Sequence, residues 1–128
     1  MLTPTAIFSG FAAPDLDAER VFFTETLGLP VLPNPMGFVE LDLGDGHRVL
    51  IYSKDDHVPA TYTVLNIEVA DIDAAVDELT SKGVEMLRYP GMPADEKGIL
   101  RGIAANRGPD IVWFTDPAGN ILSVLQSA

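Results

Sequence analysis

At 128 residues the chain has room for one domain or for two small fused modules. Eight Lys and Arg against nineteen Asp and Glu leave a formal charge of −11 and a pI near 4.3, which argues against nucleic acid or an anionic membrane as a partner, because long-range repulsion opposes the encounter. The absence of cysteine excludes disulfides, thiolate metal ligands and a Cys nucleophile, while 47% hydrophobic and 21% charged residues describe a chain able to bury a core.

No apolar run approaches the roughly 20 residues that span a bilayer, and Met1-Leu2-Thr3-Pro4-Thr5 lacks the basic flank and apolar stretch of a signal peptide. A cytoplasmic protein with no membrane partner is therefore expected. The first apolar segment, Ala6 to Ala13, has strand length and is closed by Pro14. Asp15 or Asp17 offers a cap for a helix over about Leu16 to Leu27, with Ala18, Val21 and Phe22 on one face and Gly28 as its stop. Beyond a Pro-rich connector, Phe38 to Leu43 alternates with period two, Gly44-Asp45-Gly46 signals a turn, and Arg48 to Tyr52 returns as a strand.

Ser53 to Thr61 is polar and reads as a linker, after which the order begins again. Tyr62 to Val69 alternates. Asp71 caps a helix whose Ile72, Ala75, Val76 and Leu79 form one apolar stripe, ended by Gly83. Val84 to Tyr89 and Ile111 to Thr115 read as strands, Asp116-Pro117-Ala118-Gly119 as a turn, and Asn120 to Leu125 as the last strand.

The halves match in detail. Asp15-Leu16-Asp17-Ala18 and Asp71-Ile72-Asp73-Ala74 are offset by 56, Gly28 and Gly83 by 55, and the turn glycines Gly46 and Gly119 by 73. The second half thus carries 18 extra residues, which fall on about 89–108; a segment that long either serves binding as a lid or is a plain surface loop. The expected organisation is α+β: a first βαβββ module over 1–57 and a second over 58–128. In each a single helix covers one sheet face, so two open faces, within a chain or across a dimer, are free to curl around a shared cleft. Strand parity then sends Thr63, Leu65, Ile67 and Val69 under the helix and Val64, Asn66 and Glu68 toward the cleft.

With Trp113-Phe114-Thr115-Asp116-Pro117-Ala118-Gly119-Asn120, Glu68 to Ala75 and the helix ending Thr26-Leu27-Gly28-Leu29, the chain resembles the vicinal oxygen chelate superfamily of glyoxalases, extradiol dioxygenases and fosfomycin and bleomycin resistance proteins. The resemblance covers nearly the whole chain and implies the curved, glyoxalase-like fold, often as a homodimer. It also implies a divalent ion in the cleft, held by one ligand from the first and one from the last strand of each module, commonly His and Glu. Those sites fall on Phe8 and Leu50, and on Val64 and Ser123, none of which matches. No metal and no cofactor are therefore expected, and His47 and His57 read as exposed loop residues.

The expected ligand site is instead a cleft with walls from Phe8, Leu50, Tyr52, Val64 and Trp113 and polar groups from Arg48, Asn66 and Ser123, joined by Glu40 and Glu68. Aromatics supply buried area and a few polar groups fix orientation in small-molecule pockets. The favoured reading is a metal-free binder of an aromatic or partly apolar small molecule, as in bleomycin-type resistance, with an acidic surface that would attract a cationic drug. Other readings are a metal-dependent glyoxalase-like lyase or dioxygenase, a metal-free isomerase or epimerase with Glu40 or Glu68 as base, and a scaffold module with a filled cleft.

Overall fold

The computed structural model describes residues 1–128, which divide into two compact units, Met1–Val58 and Pro59–Ala128. The first runs β1 (Ser9–Ala13), α1 (Leu16–Val21), β2 (Val31–Leu32), β3 (Val39–Asp42) and β4 (Arg48–Ser53). The second runs β5 (Thr63–Glu68), α2 (Ile72–Ser81), β6 (Leu100–Arg101), β7 (Asp110–Thr115) and β8 (Ile121–Gln126). Each unit is a four-stranded mixed sheet of the same topology, β1-β4-β3-β2 and β5-β8-β7-β6, so the fold is α+β. In both, the first strand pairs parallel with the last and the remaining neighbours are antiparallel. No helix is long and apolar enough to cross a membrane.

The repeated Asp-x-Asp-Ala segment is a pair of helix caps. Asp15 Oδ1 accepts from the Ala18 amide and Asp71 Oδ1 from the Ala74 amide, both at 3.1 Å, which satisfies donors that the first helical turn leaves open. Gly28 and Gly83 follow the two helices with φ of 66° and 85°, a left-handed conformation that costs a glycine little.

The first helix differs from its expected pattern. After Val21 the chain widens into a π-helical turn, Phe22–Thr26, and the buried face falls one residue beyond the apolar stripe. Glu19 and Phe23 are fully buried, whereas Val21 is half exposed and Ala18 and Phe22 are only partly covered. Phe23 packs against Phe11 and edge-on against Phe22. Beneath this helix lie Val39, Leu41, Val49 and Ile51; in the second unit Ile72, Val76 and Leu79 cover Val112, Phe114, Leu122 and Val124. Burial of these alternating apolar residues is the main favourable term holding each helix to its sheet.

Two strands also depart from expectation. Val84 to Tyr89 is reduced to one bridge, Leu87 opposite Trp113, and the regular edge strand is Leu100–Arg101. In β5 the register slips by one residue between Thr63 and Leu65. Leu65 and Ile67 keep to the helix side opposite Leu122 and Val124, but Thr63 stands opposite Ile121 and Val64 is the extra residue.

The segment over 89–108 is tied down through Arg101. Its guanidinium bonds both carboxylate oxygens of Asp73 on α2 (2.7 and 3.0 Å), Asp95 Oδ2 (2.9 Å) and Asp110 Oδ2 (3.4 Å). Asp95 Oδ1 accepts from the Lys97 and Ile99 amides, and Arg88 reaches the Asp95 and Glu96 carbonyls. Hydrogen bonds from Arg101 outweigh desolvation and, with Lys97 assisting, hold the Asp73 carboxyl at about 2. Burial pushes Asp95 upward, but bonds from Ile99, Arg101 and Lys97 leave it lowered.

Candidate functional site

Each unit has an open sheet face opposite its helix, and that face follows from the period-two alternation. In the first unit Val39, Leu41, Val49 and Ile51 point under α1, leaving Glu40, Asp42, Arg48, Leu50 and Tyr52 on the other side. Strand pairing sets Leu32, Glu40, Leu50 and Gly10 in one row across the sheet. Phe8, just before β1, is half exposed, and the Arg48 guanidinium lies over its ring at 4.6 Å. Arg48 Nη1 stands 3.8 Å from Glu40 Oε1, beyond hydrogen-bond reach, and the guanidinium makes no hydrogen bond within the protein.

The equivalent row in the second unit is Leu87, Trp113, Ser123 and Asn66. Ser123 is fully buried, and its hydroxyl donates to Asn66 Oδ1 at 2.6 Å. Tyr89 stands edge-on to Trp113 with ring centroids 5.5 Å apart, a favoured quadrupolar arrangement. At the end of β5, Glu68 accepts a short hydrogen bond from the Ser127 hydroxyl. Asp116, buried in the β7–β8 turn, accepts from the Ala118 and Asn120 amides and from Asn120 Nδ2. The Asp-Pro-Ala-Gly-Asn motif is thus a device for closing the hairpin.

Phe8, Glu40, Arg48, Leu50 and Tyr52 gather around one open face, and Asn66, Trp113 and Ser123 around the other. Val64 sits in the register slip and joins no row, while Glu68, two residues beyond Asn66 on the same strand face, lies in the neighbouring row with Leu125, Ile111 and Leu100. Three residues absent from the expected cleft complete the rows, Leu32, Gly10 and Leu87, and a fourth, Tyr89, packs against Trp113. The signal for Leu87 was available, since its offset of 55 from Leu32 equals that between the helix-stop glycines. His47 is exposed as expected, but His57 is half-buried, with its Nε2 covered and without a partner.

A divalent ion of the kind the resemblance implies does not fit these residues. The strand partners of Leu50 and Ser123 are Gly10 and Asn66, two residues beyond the expected Phe8 and Val64. Gly10 and Leu50 bring no donor. Asn66 and Ser123 are neutral and bonded to each other, a poor donor set for a dication that favours imidazole and carboxylate. No three His, Asp or Glu side chains are grouped to hold a metal.

Residues 7–124 match the family described as the Glyoxalase/Bleomycin resistance protein/Dioxygenase superfamily. Comparison with curated proteins found no match. Among solved structures, a member of that superfamily from Sphaerobacter thermophilus is 24% identical, with 98% of this chain and 100% of that one covered and a TM-score of 0.69. TnmS3, an antibiotic binding protein from Streptomyces, is 19% identical over 99% and 100% of the two chains, with a TM-score of 0.67. An integron cassette protein from the mobile metagenome of V. cholerae is 16% identical over 100% and 98%, also at 0.67. At these identities the likeness is one of fold.

Proposed function

The chain belongs to the Glyoxalase/Bleomycin resistance protein/Dioxygenase superfamily, and from that premise we propose that it binds a small, partly aromatic organic molecule without a metal ion and sequesters it. The observation that carries this reading is the paired composition of the open faces. Half-covered aromatic side chains stand beside a few polar groups, and the strand positions to which the resemblance assigns metal ligands carry Gly10, Leu50, Asn66 and Ser123 instead. Trp113 with Tyr89 edge-on supplies stacking area, and the Ser123–Asn66 pair supplies an oriented amide. The antibiotic-binding neighbour of the same fold supports it by analogy of architecture. A resistance role, a homodimer and a cytoplasmic location belong to the same proposal.

Trp113 is the only tryptophan, so its fluorescence reports on that face alone. Titration with a panel of aromatic antibiotics and metabolites is expected to quench it and to raise the unfolding temperature, since a ligand at 100 times its Kd stabilises by about 2.7 kcal/mol. No quenching and no thermal shift across the panel would remove the reading. Elemental analysis of protein purified without chelator is expected to find no stoichiometric Ni, Zn, Mn or Fe; one equivalent of any of them overturns the metal-free part.

One observation favours a second reading, a metal-free isomerase or epimerase. The Glu40 side chain is only 20% exposed, makes no hydrogen bond and faces the first open surface, a placement suited to taking a proton. Glu40→Gln would then abolish turnover of a substrate while leaving its binding intact, whereas in a pure binder there is no turnover to lose.

A further inference from the structure

We infer that the open face of the first unit takes a small organic molecule bearing an oxyanion, a carboxylate or phosphate group, and that Arg48 receives it. This rests on the binding reading above and adds the chemical class. A guanidinium has five N–H donors in a rigid plane. Those of Arg48 meet no acceptor in the protein: Glu40 balances the charge from 3.8 Å but accepts no hydrogen bond. Of the other cations, only Arg107, exposed in the turn before β7 and away from either row, likewise lacks a side-chain partner; the rest are engaged. Arg20 bonds Asp17 and the Gly37 carbonyl, Lys54 bonds Asp56, Arg88 bonds two carbonyls, and Arg101 bonds three carboxylates.

The Phe8 ring lies under the guanidinium at 4.6 Å and restrains it by a cation–π contact. The N–H donors remain unbonded within the protein and available for two parallel bonds to an oxyanion, the geometry that a Lys ammonium cannot reproduce. Holding the fork in advance also lowers the entropy lost when the ligand arrives. Glu40 supplies a counter-charge that keeps Arg48 compensated in the unliganded protein, and it competes weakly because it is not bonded. Leu50 and Tyr52 follow Arg48 on the same strand face, and Tyr52 is 40% exposed. From Arg48 to Tyr52 the strand rises about 13 Å, which suits a body of two or three fused rings with its oxyanion at the Arg48 end. The charge of −11 does not forbid this: at physiological salt, exposed charges farther away than about 8 Å are largely screened, and the contact with Arg48 is not.

Calorimetric titration with 2-naphthoate, 2-naphthyl phosphate and the neutral isostere 2-naphthamide tests the inference on wild type, Arg48→Met, Arg48→Lys and Glu40→Gln. One or both anions are expected to bind about ten-fold or more tightly than the amide, and which of them does so tells carboxylate from phosphate. Arg48→Met should erase that preference without changing the affinity for the amide, Arg48→Lys should restore part of it, and Glu40→Gln should strengthen anion binding a few-fold. Equal binding of anions and amide by wild type, or a preference that survives in Arg48→Met, overturns the oxyanion inference and leaves the binding reading standing. Failure of all three probes, with the antibiotic panel equally silent, overturns both.

Discussion

The row that crosses the first sheet reads Leu32, Glu40, Leu50, Gly10, and the equivalent row of the second reads Leu87, Trp113, Ser123, Asn66. Only the edge leucine is shared. The parts beneath are alike: an Asp cap on each helix, a left-handed glycine after it, a parallel first–last strand pair and a hairpin. Caps, stops and apolar alternation answer to backbone hydrogen bonding and burial, which make the same demands on both copies. A side chain on the open face answers to neither, so it is free to diverge. The two arginines show the same contrast: Arg101 holds an inserted segment to α2 through three carboxylates, whereas Arg48 makes no hydrogen bond.

The hairpin turns break the symmetry most sharply. Asp116 closes the β7–β8 turn by accepting three hydrogen bonds on a buried carboxylate. Its counterpart in the first turn, Leu43, contributes only one main-chain bond, from its amide to the His47 carbonyl, and is 44% exposed. Asp116→Ala should cost about 2–4 kcal/mol, because buried amides lose their acceptor. Leu43→Ala should change stability by no more than about 0.5 kcal/mol. Urea midpoints of the two variants measure the difference; equal values would mean that the carboxylate adds nothing to its turn.

Arg101→Met comes next in expected size, and its signature is pH dependence. The Asp73 carboxyl is held at about 2 in the folded protein against 3.8 ordinarily. A lowered folded value gives stability that is present above the unfolded value and lost as pH falls through the folded one. The wild type should therefore exceed Arg101→Met in urea midpoint at about pH 5, and the gap should narrow as pH falls from about 4 to about 2. A gap that stays constant over that range would assign the loss to packing of the Arg101 stem.

How much of this was legible before the structure follows from what each feature depends on. The caps at Asp15 and Asp71, the glycine stops, both hairpins and the duplication were readable because they are local or periodic. The π-helical turn after Val21 was not, since no residue marks it locally, and the buried face includes the carboxylate of Glu19 four residues before Phe23, which apolar periodicity passes over in favour of Ala18, Val21 and Phe22. The slip at Val64 is invisible to parity, since alternation assumes that no residue is extra. The Arg101 cluster joins α2, the 89–108 segment and β7 across 37 residues of sequence, from Asp73 to Asp110, and no spacing rule marks such a convergence. At the candidate site, Glu40, Arg48, Trp113, Asn66 and Ser123 were legible from strand parity. Tyr89 was missed because its strand survives as a single bridge.

A smaller effect is expected where the rows themselves differ. Ser123→Ala removes the hydroxyl that Asn66 accepts from and should cost about 1 kcal/mol, because exposed Asn66 can turn its oxygen to water. The first unit cannot simply import the pair. A Cβ at Gly10 would stand 3.0 Å from the Leu50 carbonyl oxygen, so Gly10→Asn with Leu50→Ser should be less stable than Leu50→Ser alone. If the double variant is the more stable, the absence of a side chain at Gly10 is not enforced by the backbone.

The smallest effect belongs to Arg48→Met, and its smallness is informative. The Glu40 pair is long and half exposed, and such pairs contribute about 0–1 kcal/mol after side-chain entropy and screening. The contact with Phe8 is worth about 0.5–1 kcal/mol at an exposed site, but the methionine retains part of it by laying an apolar stem on the same ring. The two losses are therefore offset, and the urea midpoint should move by less than the change expected for Ser123→Ala. Arg101→Met, the matched substitution in the second unit, should exceed it clearly. An arginine whose removal leaves the fold intact, beside one needed to secure an insertion, does not serve stability, and this separates a binding arginine from a structural one. Thermal and urea unfolding of the two methionine variants side by side decides the point: equal losses would make Arg48 a structural residue like Arg101.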